Sequence, residues 1–444
     1  MNKARLKSII LITLIIFNLV LAERILVDKR LWPSGYNLFN IGKNLGDTSD
    51  SVAGHLILPE RIIINTGYQS SRFECTRAMD EFDSTFEKAK SVIASAFSKP
   101  LRELSVISSD DWYRALTGKS IYLAYPCKFS AQNFSALLGL STELGFKGFS
   151  DIVISDNGTV FVSDTADNIF YKIDTASTEI SPITNASLYE ESDSSVINYS
   201  FDLNFDKAFG DQKTFLSPMI PIYSAPVDAE VILPSNPIFR DGEINQKSIS
   251  GILAAFSINP ATVWRYTEAD GSLVFVENTG VLKISPDGLL TFSATSGGIS
   301  LSNIGANSIA TEVADLVGKV NSGAGCNANM YITSPLTEDT VSEFTFDYIV
   351  GGIPVRFNGL NAAHITVRNG YITEYAQILR TYTPCGYGEV SPLYIEALDN
   401  IIAKYKDSMS RINIIKMFPA YIDNLEPGKK SLDWFFEIDN VVAE

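Results

Sequence analysis

From Ser8 to Ala22 the chain carries no charge, and Ile, Leu, Val and Phe fill most positions. Lys3, Arg5 and Lys7 stand before this run, and Glu23-Arg24 close it. Basic residues are retained on the cytoplasmic side of a bilayer, so the pattern predicts that everything beyond is exported. At ~1.5 Å rise per residue the run covers ~22 Å of a ~30 Å hydrocarbon core. Ile25-Leu26-Val27 resume the apolar pattern, and a retained anchor would use them while Arg24 snorkels at the interface. Val20-Leu21-Ala22 places small residues where a signal peptidase cuts, which makes a cleaved leader the alternative. Glu23, rather than Cys, after that site argues against a lipoprotein.

Within a helix, Leu14, Phe17, Asn18 and Leu21 follow the i, i+3, i+4, i+7 spacing and share one face. Asn18 is the only amide in the apolar stretch. In hydrocarbon such a group seeks an interhelical hydrogen bond; nearer the outer interface it bonds water or headgroups. This face is the candidate partner-binding site.

Helical and strand periods then alternate. Phe82, Phe86, Ala89, Ile93 and Phe97 recur on one face and predict a helix over 77–97, which Pro100 ends. Short helices are expected at 112–116 and 131–140, and strands at 120–125, 152–155, 160–163 and 169–174, with a turn at Asn157-Gly158. An extended stretch precedes them at 55–65, interrupted by Pro59. The polar, acidic stretch Ser187–Ser195 marks a boundary. Beyond it come a strand near 196–205, a helix near 248–256 and a meander over 263–266, 273–277, 281–285 and 289–294.

The Ser- and Gly-rich stretch 295–303 precedes a second unit of similar order. Its helix, 308–320, is followed by strands at 330–332, 343–350, 353–357, 363–367 and 371–381. Ile284–Thr291 (Ile-Ser-Pro-Asp-Gly-Leu-Leu-Thr) aligns with Thr366–Thr373 (Thr-Val-Arg-Asn-Gly-Tyr-Ile-Thr), each with an Asx-Gly pair closing a tight turn. A last helix is expected to open at Ser391-Pro392 and bury Ile395, Leu398, Ile402 and Tyr405, before closing strands at 411–421 and 433–438. The fold class is α+β: an N-terminal transmembrane helix, then three extracytoplasmic domains of antiparallel sheets packed with helices. The boundaries are 1–30, 31–188, 189–302 and 303–444, and the last two domains resemble each other.

A length of 444 residues exceeds one core. The formal net charge is −16, and residues 1–30 hold six basic against two acidic side chains, so the remainder carries −20. A body this acidic repels nucleic acid and anionic lipid.

Chemistry-bearing patterns are sparse. His55 and His364 each sit in an apolar strand pattern and read as structural, with no clustered ligand spacing, so neither a metal nor a cofactor is expected. Gly118-Lys119-Ser120 imitates the end of a phosphate loop, but Tyr113 stands where its first glycine is required. Glu190-Glu191 and Asp110-Asp111 read as solvated acids, and Glu268, Asp270 and Gly271 as a turn without a calcium loop's ligand alternation. Thr345–Phe357 alternates bulky residues around Gly351-Gly352, a hairpin read as part of a two-layer core. Four exported cysteines allow three pairings; Cys75 with Cys127 and Cys326 with Cys385 would keep each bridge local, and four free thiols are the alternative.

Leu31–Phe39 (Leu-Trp-Pro-Ser-Gly-Tyr-Asn-Leu-Phe), directly after a basic-flanked anchor, resembles the start of the YycH family. Met417–Tyr421 (Met-Phe-Pro-Ala-Tyr) and Leu432–Phe436 (Leu-Asp-Trp-Phe-Phe) are similar to that family's C-terminal pattern. The resemblance implies an uncleaved anchor and a membrane-bound, non-enzymatic regulator of the YycG/WalK-type sensor histidine kinase that controls wall metabolism, with a YycI-like companion. It also implies a shared plan for the two C-terminal domains. The alternative is a secreted or surface-bound binding module with a cleaved signal peptide.

Overall fold

The computed structural model describes residues 58–439 except 68–71, 76, 78, 80, 165–168, 176, 178, 186–196, 208–213, 224–228, 241–242, 302–305, 339–340, 388–392 and 406–410. The apolar run with Leu14, Phe17, Asn18 and Leu21, the 31–39 motif, His55, Glu190-Glu191 and Ser391-Pro392 lie outside the described residues. Among the described helices none is long and apolar enough to cross a membrane.

Alternating branched and aromatic residues build a seven-stranded sheet from β1 (Arg61–Thr66), β2 (Arg72–Cys75), β3 (Leu104–Ile107), β4 (Lys119–Phe129), β5 (Phe149–Ser155), β6 (Thr159–Asp164) and β7 (Ile169–Asp174). Its order is β2-β1-β4-β5-β6-β7-β3, every pair antiparallel. Ile62, Ile64, Ile121, Leu123, Ile152 and Ile154 bury one face against α1 (Glu81–Phe97) and α3 (Ala131–Leu137). The opposite face, with Ile63, Tyr122 and Val153, packs α2 (Ser109–Thr117) together with Ile197, Tyr199, Ile220, Ile222 and Tyr223. The Phe82–Phe97 stripe is buried throughout, and Phe97 ends it inside a ring cluster, 5.4 Å from Phe134 and 5.7 Å from Phe149. The helix starts at Glu81, not Arg77, because the Arg77 guanidinium turns back to donate to the carbonyls of Leu58 and Pro59.

A thirteen-stranded sheet follows. Its strands are β8 (Thr214–Leu216), β9 (Trp264–Thr267), β10 (Leu273–Val276), β11 (Gly280–Ile284), β12 (Leu289–Ala294), β13 (Ile299–Ser300), β14 (Asn329–Glu338), β15 (Val341–Val350), β16 (Ile353–Phe357), β17 (Ala363–Arg368), β18 (Tyr371–Ile378), β19 (Ile412–Asp423) and β20 (Leu432–Asp439). The main path runs β9-β10-β11-β12-β18-β17-β15-β16-β19-β20, and only the pairings of β19 with β16 and β8 are parallel. The hairpins of the two Asx-Gly segments lie side by side. Their second strands pair antiparallel, from Leu289 with Ile378 to Ser293 with Glu374. Asn369 (φ 51°) and Gly370 (φ 78°) adopt the left-handed geometry their tight turn requires. The sheet therefore crosses the expected boundary near residue 302, and the described residues fall in one compact unit.

Helices α4 (Gln246–Ala255) and α5 (Ala306–Ala324) cover the inner face of this sheet, over Phe275, Leu282, Ile284, Leu290 and Phe292. They cross where Gly251 meets Gly323; a Cβ on Gly251 would stand 2.4 Å from the Gly323 carbonyl oxygen. The last helix, α6 (Tyr394–Tyr405), buries Ala397 and Leu398 while Ile395 is 51% exposed, so the expected stripe is rotated toward Ala397. The strand expected at 196–205 ends at Tyr199, where the Asp202 carboxylate accepts from the Tyr199 amide (2.9 Å) and starts a 3-10 turn. The strand expected at 371–381 breaks after Ile378, and Arg380 turns to donate to the Asp287 carbonyl (3.0 Å).

Candidate functional site

The most elaborate polar site joins the two sheets. Glu60, one residue before β1, accepts from Arg356 Nη2 at 2.9 Å, and Nη1 of the same guanidinium bonds the Asp347 carboxylate on β15. Asp347 also accepts from the Ala362 amide at 3.0 Å. Phe418 of β19 and Phe435 of β20 lie 5.2 and 5.1 Å from the Arg356 guanidinium. Phe418 meets a second cation, Arg61, at 5.8 Å. Arg61 in turn donates to Glu74 (2.7 Å), whose other oxygen accepts from the Tyr223 hydroxyl (2.8 Å). Arg77 lies 4.9 Å from the Tyr331 ring, and Lys416 donates to the Pro126 carbonyl at 3.0 Å.

Burial acts to raise the Glu60 carboxyl, but Arg356, Lys416, Arg61 and Arg77 together hold it below the usual range. Asp347 is pushed up by burial, with Arg356 opposing. Each guanidinium already faces carboxylates or carbonyls, so the cluster offers neither an open anion site nor a free base. It acts as a clamp between sheets. Sequence reasoning missed it because Glu60 and Arg356 are 296 residues apart and neither belongs to a local motif.

The residues considered for catalysis do not converge. His364, expected inside an apolar strand, stands on the solvent-facing side of β17 with its Nε2 3.7 Å from Glu343. Ser108 caps α2 by accepting from the Asp111 amide (3.2 Å), which places Asp110-Asp111 in a solvated first turn. Asp270 accepts from the Ser272 amide (2.8 Å), the turn expected there. Among the described residues no group of acids, histidines and cysteines is arranged to hold a metal.

The local disulfides considered above are not made: Cys75, Cys127, Cys326 and Cys385 are free. Cys75 and Cys127 lie on β2 and β4, with β1 between them. Two strand spacings of ~4.8 Å exceed the ~7 Å Cα separation a disulfide tolerates. Cys326 lies 3.9 Å from the Tyr348 hydroxyl, whereas Cys385 contacts the Val231 carbonyl at 3.3 Å. Burial pushes the Cys75 and Cys326 thiols up to about 11, which disfavours the reactive thiolate. Alkylation of the denatured, unreduced protein is expected to label all four cysteines by mass. Labelling of two or none would mean that a bridge forms.

No family model matches this sequence, and no curated protein matches it. Among solved structures, the crystal structure of YycH from Bacillus subtilis superposes with a TM-score of 0.56 at 12% identity, covering 88% of this chain and 95% of that one. The fold is YycH-like. At this identity the match speaks for architecture alone.

Proposed function

We propose that the chain is a single-pass, membrane-anchored regulator of a two-component sensor histidine kinase of the YycG/WalK type. In this reading residues 1–30 form a cytoplasmic stub and anchor, the body is extracytoplasmic and non-enzymatic, and a YycI-like protein shares the complex. The observation that carries the reading is the YycH-like fold of the body. The basic-flanked apolar run and the Trp-Pro-Ser-Gly-Tyr-Asn segment directly after it support the same reading.

A transmembrane kinase switches between helix packings, and an added helix biases that equilibrium by its differential contacts. A preference of ~5.5 kcal/mol carries a two-state population from one extreme to the other, and smaller values tune it. Leu14, Phe17, Asn18 and Leu21 supply the contact face, with Asn18 as its polar element, and the expected sign is restraint of the kinase.

Exchanging residues 8–22 for an unrelated transmembrane helix is expected to abolish kinase regulation while the body remains exported and folded. Asn18→Leu is expected to weaken regulation partially. Full regulation by the exchanged protein, read from a kinase-dependent reporter, would overturn the helix-contact mechanism. A mature chain shorter by the first 22 residues would favour the secreted binding module.

A further inference from the structure

At its β9–β12 end the large sheet packs one face against α4 and α5, and the other carries an aromatic platform. Cross-strand partners point to the same side of a sheet, so the registers assign each residue to a face. One row on the solvent-facing side runs Trp264, Val276, Val281, Ser293 and Glu374; the next runs Tyr266, Val274, Lys283, Thr291 and Ala376. Trp264 is 68% exposed and Tyr266 42% exposed, with ring centroids 5.3 Å apart at 45°. Val274 beside them is only 2% exposed. Trp and Tyr each carry a large apolar area and dominate contact energetics where they are covered. Two of them side by side in water mark a contact surface rather than scattered surface hydrophobics.

The chemistry of the floor narrows the ligand. Past the aromatic pair, β12 and β18 present Thr291, Ser293 and Ala376 on the same side, short side chains of which two carry hydroxyl groups. Lys283 is held by Glu268 at 2.6 Å and Asp270 at 3.7 Å, so no free cation lies along these rows to receive a phosphate or carboxylate. Arg265, the one cation of β9, pairs with Phe275 and points to the opposite face. The body as a whole is strongly acidic. An anionic polymer is therefore disfavoured by charge. An added peptide strand would use the free main-chain edge of β9, whereas the rings stand on the sheet face, perpendicular to that edge. A ligand matching rings plus hydroxyls is one with apolar C–H faces and a rim of hydroxyls.

We infer that the solvent-facing side of the large sheet, from Trp264 and Tyr266 to Thr291 and Ser293, binds a neutral polysaccharide chain. Sugar rings stack on the two aromatic faces, and their hydroxyls exchange hydrogen bonds with the Thr291 and Ser293 hydroxyls and with the Glu374 carboxylate. The inference is independent of the kinase reading, because it is tested by binding alone.

The test is isothermal titration of the full chain, purified in a polyoxyethylene detergent that carries no sugar, with cellohexaose and with chitohexaose. Binding of either is expected, and Trp264→Ala is expected to weaken it about tenfold, a loss of about 1.4 kcal/mol. Trp264→Phe keeps a ring at that position and is expected to retain most of the affinity. The side chain is exposed, so the thermal midpoint should be the same in all three proteins. Absence of binding to both oligosaccharides would overturn the inference, and so would binding that survives Trp264→Ala combined with Tyr266→Ala. Capture of an extended threonine–valine hexapeptide without glycan binding would overturn it in favour of a protein partner at the β9 edge.

Discussion

Arg356→Ala is expected to destabilise the body by about 3–5 kcal/mol, the cost of leaving buried charge without its counter-ion. The substitution strands Glu60 and Asp347 together and removes the guanidinium that packs against Phe418 and Phe435. Its pH signature separates lost charge from lost packing. In the native protein Glu60 is held below its ordinary 4.5, so its contribution is present above that value and is lost as pH falls through the depressed one. Without Arg356, the first of the cations holding it down, burial is less opposed and the Glu60 carboxyl moves up. The variant therefore gains less stability than the native protein as pH rises through that range; Asp347, already raised by burial, moves further up without Arg356 and acts in the same direction. Adding Glu60→Gln should restore part of the loss, because neighbours in one ion network are not additive. Chemical denaturation between pH 4 and pH 7 checks all three statements. An unchanged slope in Arg356→Ala would mean that the guanidinium is only a spacer between rings.

Gly251→Val is expected to cost about 1–3 kcal/mol or more, as overpacking does. A Cβ there meets the Gly323 carbonyl oxygen at 2.4 Å and its Cα at 2.7 Å; both are backbone atoms of a helix, so the helices must separate. Gly251→Ala should also destabilise, although alanine favours an isolated helix over glycine by up to about 1 kcal/mol. Gly318 on α5 supplies the control, since nothing stands within 4 Å of a Cβ added there. Gly318→Ala should therefore stabilise by a few tenths of a kcal/mol to ~1 kcal/mol. Thermal melts of the three variants suffice, and a neutral Gly251→Ala would show that the two helices slide apart without cost.

Local chemistry explains what the sequence revealed. The Phe82–Phe97 stripe, the Asx-Gly turns and the strands over 289–294 and 353–357 each depend on neighbours within a few residues, and each occurs as expected. What stayed hidden depends on distant partners. Arg77 looks like the first residue of a helix until the carbonyls of Leu58 and Pro59 claim its guanidinium. His364 looks buried by its neighbours along β17, but the face it occupies is set by pairing with β15 and β18. An even number of cysteines allowed two local disulfides, whereas strand order inserts β1 between Cys75 and Cys127. Trp264 and Tyr266 read as ordinary strand residues, because only the register shows which side they share. The anchor face Leu14, Phe17, Asn18 and Leu21 is legible in the sequence alone and lies outside the described residues.

The inter-sheet clamp also has a consequence in time. A chain made from its N-terminus presents Glu60 and Arg61 long before Arg356, and Phe418 and Phe435 arrive later still. Until then the early acids and bases have only water for company, because the strands that bring their partners have not yet been made. Contacts of such sequence separation form slowly. Closure of the clamp therefore waits on the last two strands, and a chain that stops before Leu432 leaves the Arg356 guanidinium without the Phe435 ring.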